Sequence, residues 1–367
     1  MTAADPNIGA HGDDRLGRAA PPPRLAARRR RGAWSTVLVL VLASLPAQAQ
    51  PEKPHVGEAP VRIELRARPI LAFEPRDPSR RRFGQLEFRG GVELTSPYKE
   101  FGGLSAIRVG RDGAHFLALT DQGRWLRGRI TYEGTRPTGV ADAEMAPILG
   151  PDGKPLAARR WYDTESIAED GGTLYVGIER VDQIVRFDYG KYGLLARGQP
   201  IAVPPGFKKL PYNKSLECLV FVPKGLPLAG TLIAVTERGL DEQGNLKSFL
   251  IGGPSPGTFA VRRDDEFDVS DCALLEGGEL LVLERRFSWL RGLAIRIRRI
   301  PLTAVMPGAL VDGPVVIVAD LGHQIDNMEG LSVHRTAAGD VVLTLVSDDN
   351  FSPLQRTILL QFALVEE

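Results

Sequence analysis

The chain has 367 residues and nearly balanced charge, 46 Lys+Arg against 45 Asp+Glu, for a net charge of +1. That balance leaves no global basic face, which argues against nucleic acid as a partner. With only two cysteines, neither a disulfide-dense scaffold nor a thiolate metal framework is available.

Residues 1–49 read as a signal peptide. A polar stretch with Pro21-Pro22-Pro23 leads into the basic run Arg28-Arg29-Arg30-Arg31, then the apolar segment from Val37 to Ala43, then Ala47-Gln48-Ala49. This is a charged n-region, an h-region too short to span a bilayer stably, and a small-x-small site, so cleavage is expected after Ala49. Arg30-Arg31 is a weak twin-arginine match, which leaves the export route open. The expected location is periplasmic or secreted, with no stable membrane span after cleavage. Removing the leader takes Lys+Arg to 39 and Asp+Glu to 42, a net charge of −3.

Residues 50–60 form a Pro-containing linker, and 61–367 read as one all-β domain. Runs such as Val61 to Leu65, Thr173 to Ile178 and Gln183 to Phe187 are rich in β-branched and aromatic residues. Turn formers such as Asp112-Gly113, Asp170-Gly171-Gly172 and Glu276-Gly277-Gly278 bound them. No amphipathic helical pattern survives the Gly and Pro interruptions.

A phrase recurs five times: an acid, a small residue and an apolar residue, then an apolar strand closed by an acid. It runs Gly102-Gly103-Leu104 to Asp121, with Gly in place of the first acid, then Glu165-Ser166-Ile167 to Glu179 and Glu217-Cys218-Leu219 to Glu237. Asp271-Cys272-Ala273 to Glu284 and Glu329-Gly330-Leu331 to Asp348 complete the set. Successive starts lie 63, 52, 54 and 58 residues apart, the period of a single β-propeller with five countable units. The last unit is short of strands, so the segment 61–95 is expected to close the ring or, alternatively, to form a sixth blade.

The phrase brings acids together. Glu165, Glu217, Asp271 and Glu329, with Asp348 and its neighbour Asp349, form an oxygen-only set whose mutual repulsion must be relieved by cations or arginines. Such a set suits Ca²⁺. Arg180, Arg238 and Arg285 follow three of the strand-terminal acids, either as structural partners of those acids or as grips for a phosphate. The histidines show no ligand spacing. Cys218 and Cys272 occupy the same place in the phrase where other units carry Gly103, Ser166 and Gly330, and they read as two buried free thiols. Gly253-Pro254-Ser255-Pro256-Gly257 matches a nucleophile elbow in form only, since Pro256 supplies no oxyanion amide and no helix follows.

Three stretches carry a family likeness: Gly102 to Ser105 with Phe116 to Asp121; Asp163 to Ile167 with Tyr175 to Arg180; and Asp326-Asn327-Met328-Glu329-Gly330-Leu331-Ser332 with Val346 to Phe351 and Gln355-Arg356-Thr357. Together they resemble the phytase-like (esterase-like activity of phytase) domain family of exported bacterial proteins, over about residues 80–365. The resemblance implies hydrolysis of a small-molecule phosphate ester or carboxyl ester, and its relation to calcium-dependent propeller phytases favours the phosphate ester. The competing reading is a non-catalytic propeller that binds a ligand or protein partner at its channel mouth through loops such as 136–160 and 204–215.

Overall fold

The computed structural model describes residues 59–212 and 214–365. The leader, His55 and most of the linker lie outside the described residues. Alternation of apolar and polar residues sets five antiparallel sheets, each meeting the next through its two faces.

Blade 1 comprises Leu104–Val109, His115–Thr120, Arg124–Glu133 and Arg136–Pro147, with the short strand Val61–Arg62 on its edge. Blade 2 comprises Thr164–Asp170, Thr173–Ile178, Gln183–Asp188 and Gln199–Pro200. Blade 3 runs through Leu216–Phe221, Thr231–Leu240, Leu246–Gly252 and Gly257–Val261, to which Leu310–Val311 adds in parallel. Blade 4 holds Asp268–Leu275, Glu279–Ser288, Gly292–Pro301 and Val315–Asp320. In blade 5, Asn327–Arg335, Val341–Asp348 and Thr357–Leu364 are joined by the N-terminal strand Leu86–Thr95, with Arg66–Ile70 outside it.

The ring therefore closes through residues 61–95, and the number of blades is five. Leu86 pairs with Leu364 and Leu94 with Thr357, so the closing strand removes what would be an open edge. Five apolar clusters fill the five inter-blade spaces; Trp125, the largest fully buried side chain, packs edge-on against Phe187 at 5.3 Å between blades 1 and 2. Arg136–Pro147 is a strand of blade 1 and not the contact loop expected there. Ser255 sits in an exposed turn joining two strands of blade 3, with no helix after it, as its prolines require.

The two cysteines are not free thiols. Cys218 and Cys272 form a disulfide with Cα atoms 5.2 Å apart. The reason is register. In every blade the first strand carries a one-residue bulge opposite the second, at Ser105, Glu165, Glu217, Ser270 and Glu329. Counted from the bulge, the counterpart of Cys218 is Asp271, and Cys272 stands one residue further on. Successive side chains in a strand point to opposite faces. Cys218 thus faces forward from blade 3 while Cys272 faces back from blade 4, and both lie in the one core cluster between those blades.

Candidate functional site at the propeller mouth

All five first strands begin, and all five second strands end, at the same face of the ring. A bulge pushes one side chain out of the ladder and re-aims it. The bulged residues Ser105, Glu165, Glu217, Ser270 and Glu329 form an inner ring at that mouth. The two serines are spent on the next blade: Ser105 Oγ donates to the Thr164 carbonyl at 2.5 Å and Ser270 Oγ to that of Met328 at 2.9 Å. Three carboxylates remain.

An outer ring follows from the same register. Thr120, Ile178, Thr236, Glu284 and Ser347 each pair with the residue just before a bulge. The next residues are Asp121, Glu179, Glu237, Arg285 and Asp348: four acids and one arginine. Glu284, the expected strand-terminal acid of blade 4, instead turns into the blade, where Arg296 and Arg298 grip it at 2.6 to 3.1 Å.

Glu179, Glu217 and Glu237 each offer an oxygen within 4.8 Å of the other two, all three buried. Ser215 N–H donates to Glu179 Oε1 at 2.6 Å, and Lys214 Nζ lies 2.7 Å from Glu237 Oε2. Arg285 spans the rings, 3.3 Å from Glu237 and 3.1 Å from Glu329, while its other nitrogen donates to Asn327 Oδ1 at 2.7 Å. Glu329 Oε2 and Asp121 Oδ1 are buried without a hydrogen-bond partner. Burial is the main cause, and neighbouring carboxylates a further one, that raises Asp121 and Glu179 to about 7. Burial likewise raises Glu329 to about 8 and Asp348 to about 6. Glu165 and Glu217 are pushed well above the usual carboxylate range for the same reasons.

The other expected site residues are placed as follows. Asp271 is turned away from the mouth, bound by Arg108 at 3.1 and 3.3 Å and by the amides of Leu331 and Cys272, both at 2.7 Å. Asp349 braces the first turn of blade 1, accepting from Gly103 N–H at 2.9 Å and from Thr357 Oγ1 at 2.9 Å. Gly103 has φ +62°, and a Cβ there would lie 2.3 Å from Asp121 Oδ1. Arg238 is committed to Asp268 through two nitrogens. Arg180 lies over the Tyr162 ring at 4.2 Å and the Tyr212 ring at 5.4 Å, with Asp163 no nearer than 3.5 Å.

Arg108 is a residue the repeat did not single out. Its guanidinium crosses the channel and donates to carbonyls of Ile107, Leu331, Leu219 and Cys272 at 2.6 to 3.4 Å, as well as to Asp271. It separates the acidic mouth from a bowl of about 860 Å³ at the far end, lined by residues including Arg111, Glu169, Phe221, Glu276 and His334. A single charged residue in the buried strand Leu104–Val109 was the available signal. His115 and His323 pair with Asp112 and Asp320 at 2.5 and 3.1 Å, and the His323 ring packs on Phe73.

A closed five-bladed ring with a carboxylate-rich mouth defines the class: a β-propeller with a hard-cation-type donor set. The chain belongs to the Phytase-like family, described as esterase-like activity of phytase, which matches residues 99–351. A search of curated proteins finds no significant match. Similar solved structures include Myxococcus xanthus glutaminyl cyclase, 11% identical over 72% of this chain and 92% of that one, with a TM-score of 0.40. The PQQ-bound aldose sugar dehydrogenase of Streptomyces coelicolor is 12% identical over 85% of this chain and 99% of that one, TM-score 0.39. The catalytic domain of Coprinopsis cinerea α-L-arabinofuranosidase is 13% identical over 77% and 99%, TM-score 0.46. These likenesses concern the fold alone. Among the described residues, no helix is long and apolar enough to cross a membrane.

Proposed function

We propose that this protein is an exported phosphoric-ester hydrolase assisted by Ca²⁺ held at Glu179, Glu217 and Glu237. The supporting observation is that buried triad of carboxylates in a mouth where acids outnumber cations. The donors are all oxygens, as a hard cation requires, and Glu329 Oε2 is buried with no hydrogen-bond partner from the protein's own groups. When bound, Ca²⁺ would offset the negative charge of a phosphate and polarise its oxygens.

The chain supplies the rest. Of the three arginines expected to grip phosphate, Arg180 has the weakest ionic tie, and two tyrosine rings hold its plane beside Glu179. It is suited to donate to the non-bridging oxygens of a phosphate ester. Asp121 and Glu329, with pKa values near 7 and 8, carry protons at neutral pH that a leaving alkoxide can accept.

The test is phosphate release from phytate and p-nitrophenyl phosphate by the full chain, with Ca²⁺ or with EDTA. Activity should require Ca²⁺, and Glu217→Gln should lower it about 100-fold. Absence of release from both substrates in Ca²⁺ overturns the reading. Arg285 favours a second reading, a non-catalytic propeller binding a ligand at the mouth, because it already links blades 3 and 5 as a strut. In that case the melting temperature would be unchanged by chelator as well.

A further inference from the structure

The turn between Glu279–Ser288 and Gly292–Pro301 rises from blade 4 at the acidic mouth. Its tip is apolar: Trp289 is 94% exposed, Leu290 99% and Phe287 62%. Phe287 and Trp289 pack edge to face at 5.5 Å, and Arg291 N–H closes the turn on Ser288 Oγ at 3.0 Å. Leu321, also exposed, lies against Gly292 at the base. In blade 5 the equivalent turn presents Leu354, 91% exposed. The fold does not demand this. The equivalent turns of blades 1 and 3 are polar, Asp121-Gln122-Gly123 and Asp241-Glu242-Gln243-Gly244.

We propose that this apolar tip inserts into the interfacial region of a lipid bilayer and holds the acidic mouth toward the membrane surface. The inference does not depend on the hydrolase reading. Two observations select a lipid surface over a protein partner. The tip is convex and built from a few side chains, whereas a stable protein interface needs about 800 Å² from each side. Trp and Leu flanked by Arg286 and Arg291 is the composition of a membrane-interface anchor.

Charge is not the driving force. Arg291 is held by Asp265 and Glu266, both at 2.6 Å, and Arg286 is paired with Asp265. Binding is therefore expected to respond little to salt or to anionic lipid.

The native cysteines are joined, so Leu290→Cys adds one reactive thiol to the full chain for an environment-sensitive nitrobenzoxadiazole label. Phosphatidylcholine vesicles should brighten and blue-shift this label several-fold, while the same label at Gln243→Cys, on the polar turn of blade 3, stays unchanged. Combined Trp289→Ser and Leu290→Ser should weaken vesicle partition about tenfold at unchanged melting temperature. A silent Leu290 label overturns the proposal and leaves the tip to a protein contact. Equal responses at both positions also overturn it, as does a response seen only with phosphatidylglycerol and abolished by salt.

Discussion

At Arg285 the outer ring of the mouth changes sign. Blades 1, 2, 3 and 5 place Asp121, Glu179, Glu237 and Asp348 at this position, and blade 4 places a guanidinium there, between Glu237 and Glu329. One fixed cation thus stabilises two carboxylates on two other blades. Removing it leaves the buried Glu237 and Glu329 without their shared cation, which costs more than the pairing contributes when intact. Arg285→Met is therefore expected to destabilise the protein by about 2–3 kcal/mol in chemical denaturation without metal. Added Ca²⁺ should recover part of that loss. An unchanged denaturation midpoint would show that the arginine is not a strut. In the sequence Glu284-Arg285 looked like Glu179-Arg180 and Glu237-Arg238, since all three are acid followed by arginine. Residue types could not reveal that blade 4 is read one place later.

That offset belongs to the strands. The repeated phrase located every first and second strand, because apolar periodicity and turn residues are local properties. It could not locate the bulges, since in blade 4 both Ser270-Asp271-Cys272 and Asp271-Cys272-Ala273 contain small and apolar residues in workable order. The structure settles it through pairing: Val269 opposes Glu284 and Asp271 opposes Leu283, so Ser270 is the extra residue. Glu165, Glu217 and Glu329 were legible as mouth residues for this reason, and Asp271 was misassigned for the same one. The shift also turns Cys272 toward Cys218, stapling the first strands of blades 3 and 4 across a 54-residue separation. Closing a loop of that size restricts the unfolded chain by about 4 kcal/mol. The double variant Cys218→Ala, Cys272→Ala should lose about that much stability, and the wild-type chain should resist alkylation until reduced. Rapid labelling of two thiols in the folded, unreduced chain would contradict the staple.

The whole ring brings together carboxylates that no single blade could hold in one place. Burial and mutual repulsion raise Asp348 to about 6, Asp121 and Glu179 to about 7, and Glu329 to about 8. Their ordinary values lie near 4, so folding favours the protonated forms. A group raised in this way contributes stability that is fully present below its unfolded value and is lost as pH rises through its folded value. The metal-free propeller should therefore melt at progressively lower temperature as pH rises from about 4 to about 8. A cation reverses the argument, because it binds the ionised carboxylates and displaces their protons, so its affinity climbs over the same interval. Thermal melts across that range, in EDTA and in Ca²⁺, separate the two states: the curves should lie close together near pH 5 and diverge toward pH 8. Glu217→Gln, which removes one member of the triad, should flatten the metal-free curve and shrink the Ca²⁺ shift together. Were the metal-free melting temperature to stay level or rise from pH 6 to 8, the mouth carboxylates would have to be ionised and paired already, and the ring would be a closed set of salt bridges with no place for a cation.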